Sequence, residues 1–237
     1  MVGSKRGDHR NLYNECNFFS RTNLMKAIRL ILIFLVGGAL IYFTHKSKYQ
    51  SFFFDAVISM FLFFLAGILL LWSVVKDLKN YQSNKQLLNF ATTMTAVLFA
   101  LIIMVMEHNI NKNFDKPTLI EVFYNGDYNG AGIDFKTDGT YIFDISALGL
   151  TNFQYGTYKI SGDKIVIDKI NLDGVVVTNL LEVRNQQVQY QDSTRSELYL
   201  YQVSNTGVVI DNTFEFRVVV DNRREKSRSS EYTRARL

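Results

Sequence analysis

Apolar residues follow two unlike patterns along this chain, and the change from one to the other divides it. In the first half they form long unbroken runs. In the second they alternate with polar residues. A helix that crosses ~30 Å of hydrocarbon at ~1.5 Å per residue needs roughly 20 apolar positions. Three runs meet that need: Ile28–Phe43, extended by Met25 and Ala27; Phe52–Val75; and Leu88–Met106. Asp55 is the single charge in the second run, and the third has none. None shows the polar face, at a period of 3.6, that a water-soluble bundle would present. The pattern predicts three membrane-spanning helices. A hydrophilic lead of 24 residues is long for a leader peptide, and Tyr42-Phe43-Thr44 is a poor cleavage site, so the first run is expected to stay as an uncleaved span.

Pro117, the only proline, falls where the helical pattern stops. Beyond it the period becomes two. Strands are predicted at about 119–124, 132–137, 140–146, 153–161, 164–169, 175–184, 187–192, 197–203 and 208–220, the last broken near Asn212. Turns separate them at Asp138-Gly139, Gly162-Asp163, Asp173-Gly174, Asn185-Gln186 and Ser204 to Gly207; Gly162-Asp163 is what a two-residue II′ hairpin requires. Ile165 and Ile167 should share one face opposite Lys164, Val166 and Asp168. Likewise Phe214, Phe216, Val218 and Val220 should oppose Thr213, Glu215 and Arg217. Many short antiparallel strands with one buried face predict an all-β domain, a small meander barrel or sandwich. Closing the meander would also remove aggregation-prone edges.

The stretch GIDFKTDGTYIFDIS, then FQYGTYKISGDKIVIDK and later LYLYQV, resembles bacterial lipocalin-like (calycin-type) domains over about residues 120–205. The resemblance implies a cup-shaped barrel that takes a small apolar or amphipathic ligand. A barrel of this size can instead be filled by its own side chains. In architecture, with helices preceding the barrel, the chain also resembles membrane-disrupting effectors of bacterial antiphage systems. There a cytosolic minimal β-barrel senses a cyclic oligonucleotide and the helices then assemble.

Charge is segregated. Residues 1–51 carry a net +6, residues 52–117 +1, the β region 118–221 −7 and residues 222–237 +4. The overall pI of 9.0 is therefore no nucleic-acid signature, because the β region would repel phosphate backbones. The basic tail is expected to be disordered and could be drawn to an anionic membrane surface. Basic residues near the span ends (Arg21, Lys26 and Arg29, then Lys76, Lys79 and Lys85) outnumber those on the opposite side (Lys46, Lys48, Lys112 and Lys116). That bias predicts an N-terminus inside and a β domain outside a cytoplasmic membrane. Lys26 and Arg29 are expected to snorkel at the near end of the first span.

Candidate chemistry is sparse. Asp55 and Glu107 should be interfacial carboxylates. Thr92, Thr93 and Thr95, with Gly37-Gly38, should serve helix packing. Asn125 to Gly132 has a faint likeness to a calcium loop but lacks the third ligand and the closing Glu, and is read as a flexible loop. Tyr141, Phe143, Tyr155, Tyr158, Tyr199 and Tyr201 are expected mainly in core and cross-strand packing. Asp138, Asp163 and Asp173 sit at turns. Cys16 is a lone thiol, and His9, His45 and His108 all precede the β region, so no histidine-based site can form within it. No catalytic, metal or cofactor site is expected.

These readings divide the chain into a basic segment 1–24, a transmembrane region 25–107, a linker 108–117, a lipocalin-like domain 118–221 and a basic tail 222–237. The expected function is a non-catalytic binding or interaction module anchored in the bilayer. Its expected partners are a small apolar or amphipathic ligand, a membrane protein or a second copy of the chain. A ligand-gated effector and an accessory subunit of an envelope complex are the alternatives.

Overall fold

The computed structural model describes residues 8–127, 129–210 and 214–223. It separates into two compact units, Met1–His45 with Phe54–His108, and Lys46–Phe53 with Asn109–Leu237. The first is helical and the second is a β-barrel.

Three helices, α1 (Asp8–Ser47), α2 (Phe53–Asn84) and α3 (Ala91–Phe114, entered through a 3₁₀ turn at Leu87–Phe90), contain the three apolar runs. The segments Leu24–Ser47, Phe53–Asn84 and Leu87–Phe114 are helices long and apolar enough to cross a membrane. Each helix outlasts its oily stretch, because hydropathy marks depth in lipid whereas residues such as Lys, Asn and Glu also propagate a helix in water. So α2 continues past Val75, and α3 carries the expected linker region as far as Phe114. Ile33, Val36, Leu40, Leu69 and Ile103 form a narrow shared core. Most other large apolar side chains face outward, Phe64 being 70% exposed, which is tolerable only in lipid. Gly37 permits a close approach as expected. A Cβ there would lie 2.6 Å from the Phe99 ring, while Gly38 faces open space.

The barrel unit begins between α1 and α2 with a three-residue strand, β1 (Gln50–Phe52). Its ring follows α3: β2 (Thr118–Asn125), β3 (Asn129–Lys136), β4 (Thr140–Ala147), β5 (Leu150–Ser161), β6 (Lys164–Ile167), β7 (Leu180–Gln189), β8 (Thr194–Gln202) and β9 (Phe216–Asp221). Each strand pairs antiparallel with its neighbours in sequence, and β9 closes on β2. The result is an eight-stranded up-and-down barrel. β1 joins it from outside, Gln50 opposite Asn152 and Phe52 opposite Leu150.

Alternation fills the barrel. Ile120, Val122, Ile133, Phe135, Tyr141, Phe143, Ile165, Ile167, Leu181, Val183, Leu200 and Phe216 point inward as one cluster. Tyr141, Phe135 and Phe143 have no measurable exposure, as expected of side chains packed to interior density. Of the two outcomes left open by the sequence, this barrel is filled. The β6–β7 connection folds over one mouth and buries Leu172, Val175 and Val176. Gln202 holds that cap by donating to the Val175 carbonyl at 2.8 Å and accepting from the Val177 amide at 2.7 Å.

Three strand-level expectations need correction. No turn interrupts Asn185-Gln186; β7 runs through to Gln189, and the chain reverses at Tyr190–Ser193. The 175–184 and 187–192 segments thus reduce to one strand that starts at Leu180. Asn125 and Asn129–Gly132, expected in a flexible loop, belong to strands. They pair as the end of β2 and the start of β3, Asn125 opposite Gly130, and the Gly126 amide donates to the Asn129 carbonyl at 2.8 Å. Across Gly132 of β3 lies the Asp144 carboxylate, 2.6 Å from where a Cβ would stand, so a side chain there would oblige Asp144 to turn aside. The break near Asn212 and most of the basic tail lie outside the described residues.

Candidate functional site

Within the helical unit the polar groups gather at one junction. Arg29 of α1 and Asp77 of α2 form an ion pair at 3.1 Å, with side chains 3% and 0% exposed. Asp77 also accepts from the Thr93 amide at 3.1 Å and the Thr93 hydroxyl at 2.8 Å. One carboxylate therefore joins all three helices and satisfies an amide that the first turn of α3 leaves open. A second group stands apart from it: Lys26 donates to buried Asn89 at 2.7 Å, and Asn89 donates to Asn84. Arg29 does not snorkel. Its guanidinium is enclosed because α2 continues far enough to bring Asp77 alongside. A charge pair this fully enclosed disfavours a slip in helix register, since a slip would leave a buried charge without its partner.

The other candidates in this unit play lesser parts. Thr95 bonds back to the Ala91 carbonyl at 2.9 Å, and Thr92 is buried. Glu107 lines an apolar cavity of about 360 Å³ shared by Val36, Gly37, Gly67, Phe99 and Ile103. Asp55 lies in the first turn of α2. Cys16 and His9 lie on α1, His45 near its end and His108 on α3.

On the barrel, the aromatic residues divide. Tyr141, Phe143 and Tyr158 are core; the Tyr158 hydroxyl donates to the Lys136 carbonyl at 2.6 Å, and burial pushes its pKa up to about 12. Tyr199 and Tyr201 pair with each other, ring centres 6.5 Å apart. Tyr155 opens onto a cleft. β5 pairs with β6 only from Tyr158 onward and with β1 only up to Asn152. The last bonds on either side are the Phe153 amide to the Tyr49 carbonyl, at 2.8 Å, and the Asp168 amide to the Thr157 carbonyl, at 3.0 Å. Between them the β5 edge is uncovered. Antiparallel alternation directs the Tyr155 backbone N–H and C=O into that gap.

The gap is a cleft of about 560 Å³ whose lining includes Lys48, Tyr49, Lys116, Phe153, Tyr155 and Lys169. Tyr155 anchors one wall by donating to the Lys48 carbonyl at 2.6 Å. Burial, then neighbouring Tyr49, pushes its pKa up to about 12, so it is a neutral donor at any physiological pH. The Lys48 ammonium sits 5.1 Å from the Tyr49 ring centre and 5.9 Å from that of Tyr155. Lys116 pairs with Asp138 at 2.8 Å. Among the described contacts, Lys48 and Lys169 have no carboxylate partner. Of the turn carboxylates, Asp163 pairs with Arg223 at 2.7 Å.

The Lys116 ammonium, with Thr140, holds the Asp138 carboxyl down at about 2, against an ordinary 3.8. A depressed carboxyl stabilises the fold fully above its unfolded value and loses that contribution as pH falls through its folded one. The window here is 3.8 down to about 2. Lys116→Gln should return Asp138 toward 3.8, as read from its side-chain carbon shift in an NMR titration. An unmoved titration would show that Thr140 alone sets the value.

Compared with protein-family models, with curated proteins and with solved structures, the chain matches none. The site therefore stands on its own residues. Sequence reading missed the Arg29–Asp77 pair, although Asp77 is the only acidic residue between Asp55 and Glu107. It also missed the cleft, which gathers residues from positions 48, 116, 155 and 169.

Proposed function

We propose that this is an integral membrane protein whose barrel is a non-catalytic binding module, working through the cleft at the uncovered β5 edge. The observation that carries this reading is the interrupted pairing of β5. A closed barrel ordinarily leaves no backbone unpaired, and here the opening is lined by cations and aromatic rings. The sequential eight-strand ring supports a lipocalin-like relationship at the level of topology, while the packed axis moves binding to the outer wall. The basic residues flanking the spans favour an N-terminus inside and a barrel outside the cytoplasmic membrane. A phosphatase reporter fused after Leu237 should be active and a fluorescent protein at the same place dark. The opposite pair of results would overturn the external placement.

A second reading, a ligand-gated membrane effector, draws on β1. That strand continues directly into α2 and pairs with β5 beside the cleft, so occupancy of the cleft and the geometry of the first loop are joined by backbone hydrogen bonds. It requires a cytosolic barrel. Membrane depolarisation on overexpression together with a cytosolic C-terminus would favour it over the first.

A further inference from the structure

We propose that the β5 cleft binds the phosphate of an anionic lipid headgroup; this rests on the cleft being the binding surface. Three observations converge. First, the barrel region carries 14 acidic and seven basic residues, yet the cleft is lined by three lysines, Lys48, Lys116 and Lys169. Lys116 is neutralised by Asp138, which leaves Lys48 and Lys169 as the ammonium groups without a described carboxylate. On a domain of net negative charge, a cleft lined by lysines is a local site of attraction for anions.

Second, the chain places Lys48 close to the end of a span. Lys48 follows the last residue of α1 by one position and Phe43, the end of the first apolar run, by five. At ~1.5 Å per residue that is roughly 7 Å beyond the hydrocarbon, inside the headgroup layer. Lys116 follows the end of α3 by two positions but stands ten beyond Met106, the end of the third apolar run, so Lys48 is the cleft lysine nearest a span end. A lipid headgroup beside the end of α1 would therefore come within reach of the Lys48 ammonium.

Third, the lining has the character of a membrane interface. Tyr49, Phe153 and Tyr155 supply amphipathic rings of the kind that settle at headgroup level. The Tyr155 backbone N–H, turned into the gap, offers a fixed donor beside the mobile ammonium groups. Phosphate oxygens would be met by charge from Lys48 and Lys169 and by a directional bond from β5. The glycerol backbone would lie against the rings.

The test uses the full-length protein in neutral detergent, titrated with dioleoylphosphatidylglycerol and read by native mass spectrometry. Phosphatidylcholine serves as the zwitterionic comparison, and inorganic phosphate and glycerol 3-phosphate as soluble ones. Lys48→Gln with Lys169→Gln should weaken phosphatidylglycerol retention roughly 10- to 30-fold. Lys159→Gln with Lys164→Gln, exposed on the barrel outside the cleft, removes the same charge and should change retention less than twofold. Arginine at 48 and 169 should restore it. Equal losses from both glutamine pairs would overturn the proposal, because the attraction would then be diffuse. Lysine-dependent binding of glycerol 3-phosphate without phosphatidylglycerol retention would overturn the lipid source and leave the cleft reading standing. Indifference of every probe to Lys48 and Lys169 would overturn both.

Discussion

Asp77→Ala should destabilise the helical unit by about 3–5 kcal/mol, the range for removing one partner of a buried ion pair. The loss is large because three bonds go at once. The Arg29 guanidinium loses its counter-charge, and both Thr93 donors lose their acceptor. With Arg29 only 3% exposed, no water replaces the carboxylate without the helices parting. Asp77→Asn keeps an acceptor for Thr93 and should recover only the smaller share. Arg29→Met combined with Asp77→Leu removes both charges together and should recover most of the stability. Unfolding in mixed micelles by titrated dodecyl sulfate, followed by the fluorescence of Trp72, checks all three. If Asp77→Ala unfolds at the wild-type midpoint, the pair is not the clasp of this bundle.

Phe143→Ala should cost the barrel about 3–5 kcal/mol, the usual range for emptying a phenylalanine site in a packed core. Phe143 is wholly buried and faces Ile133 and Gln154 across β4's two ladders. A closed ring of strands cannot collapse sideways into the space as a sandwich can. Against a total stability of about 5–15 kcal/mol for a domain, that loss is a large part of the whole. Tyr201→Ala, at a half-buried outer position, should cost about 1 kcal/mol. Hydrogen exchange of the β3 and β4 amides separates the two. Protection in Phe143→Ala equal to that of wild type would mean that the core is looser than its side-chain packing implies.

What could be read from the sequence follows from the range of the interactions involved. The three spans were legible because lipid tests each stretch of about 20 residues by itself. The ring was legible in outline because alternation and turn chemistry are local: Gly162 adopts φ +63° in the predicted two-residue turn, and Ile165 and Ile167 are buried as expected. Where turn chemistry was weak, at Asn185-Gln186, the expected reversal fell inside a continuous strand. β1 was not legible. Gln50, Ser51 and Phe52 read as the lead-in to an apolar run, and only β5, 100 residues later, gives them a partner. The Arg29–Asp77 contact had the same obstacle, since charges near a span end ordinarily point to water and nothing local tells of an opposite charge facing inward.

The three residues of β1 also bear on how the molecule is made and handled. The ribosome delivers them before α2, so they must wait in an unpaired state until β5 emerges to receive them. A fragment that begins after α3 would hold all eight ring strands yet present a bare ledge along Leu150–Asn152, beside the already open Gln154–Gly156. Such a fragment would seek a substitute strand, and the nearest supply is its own kind. Supplying Lys46–Phe53 as a separate peptide should return it to a single-chain state.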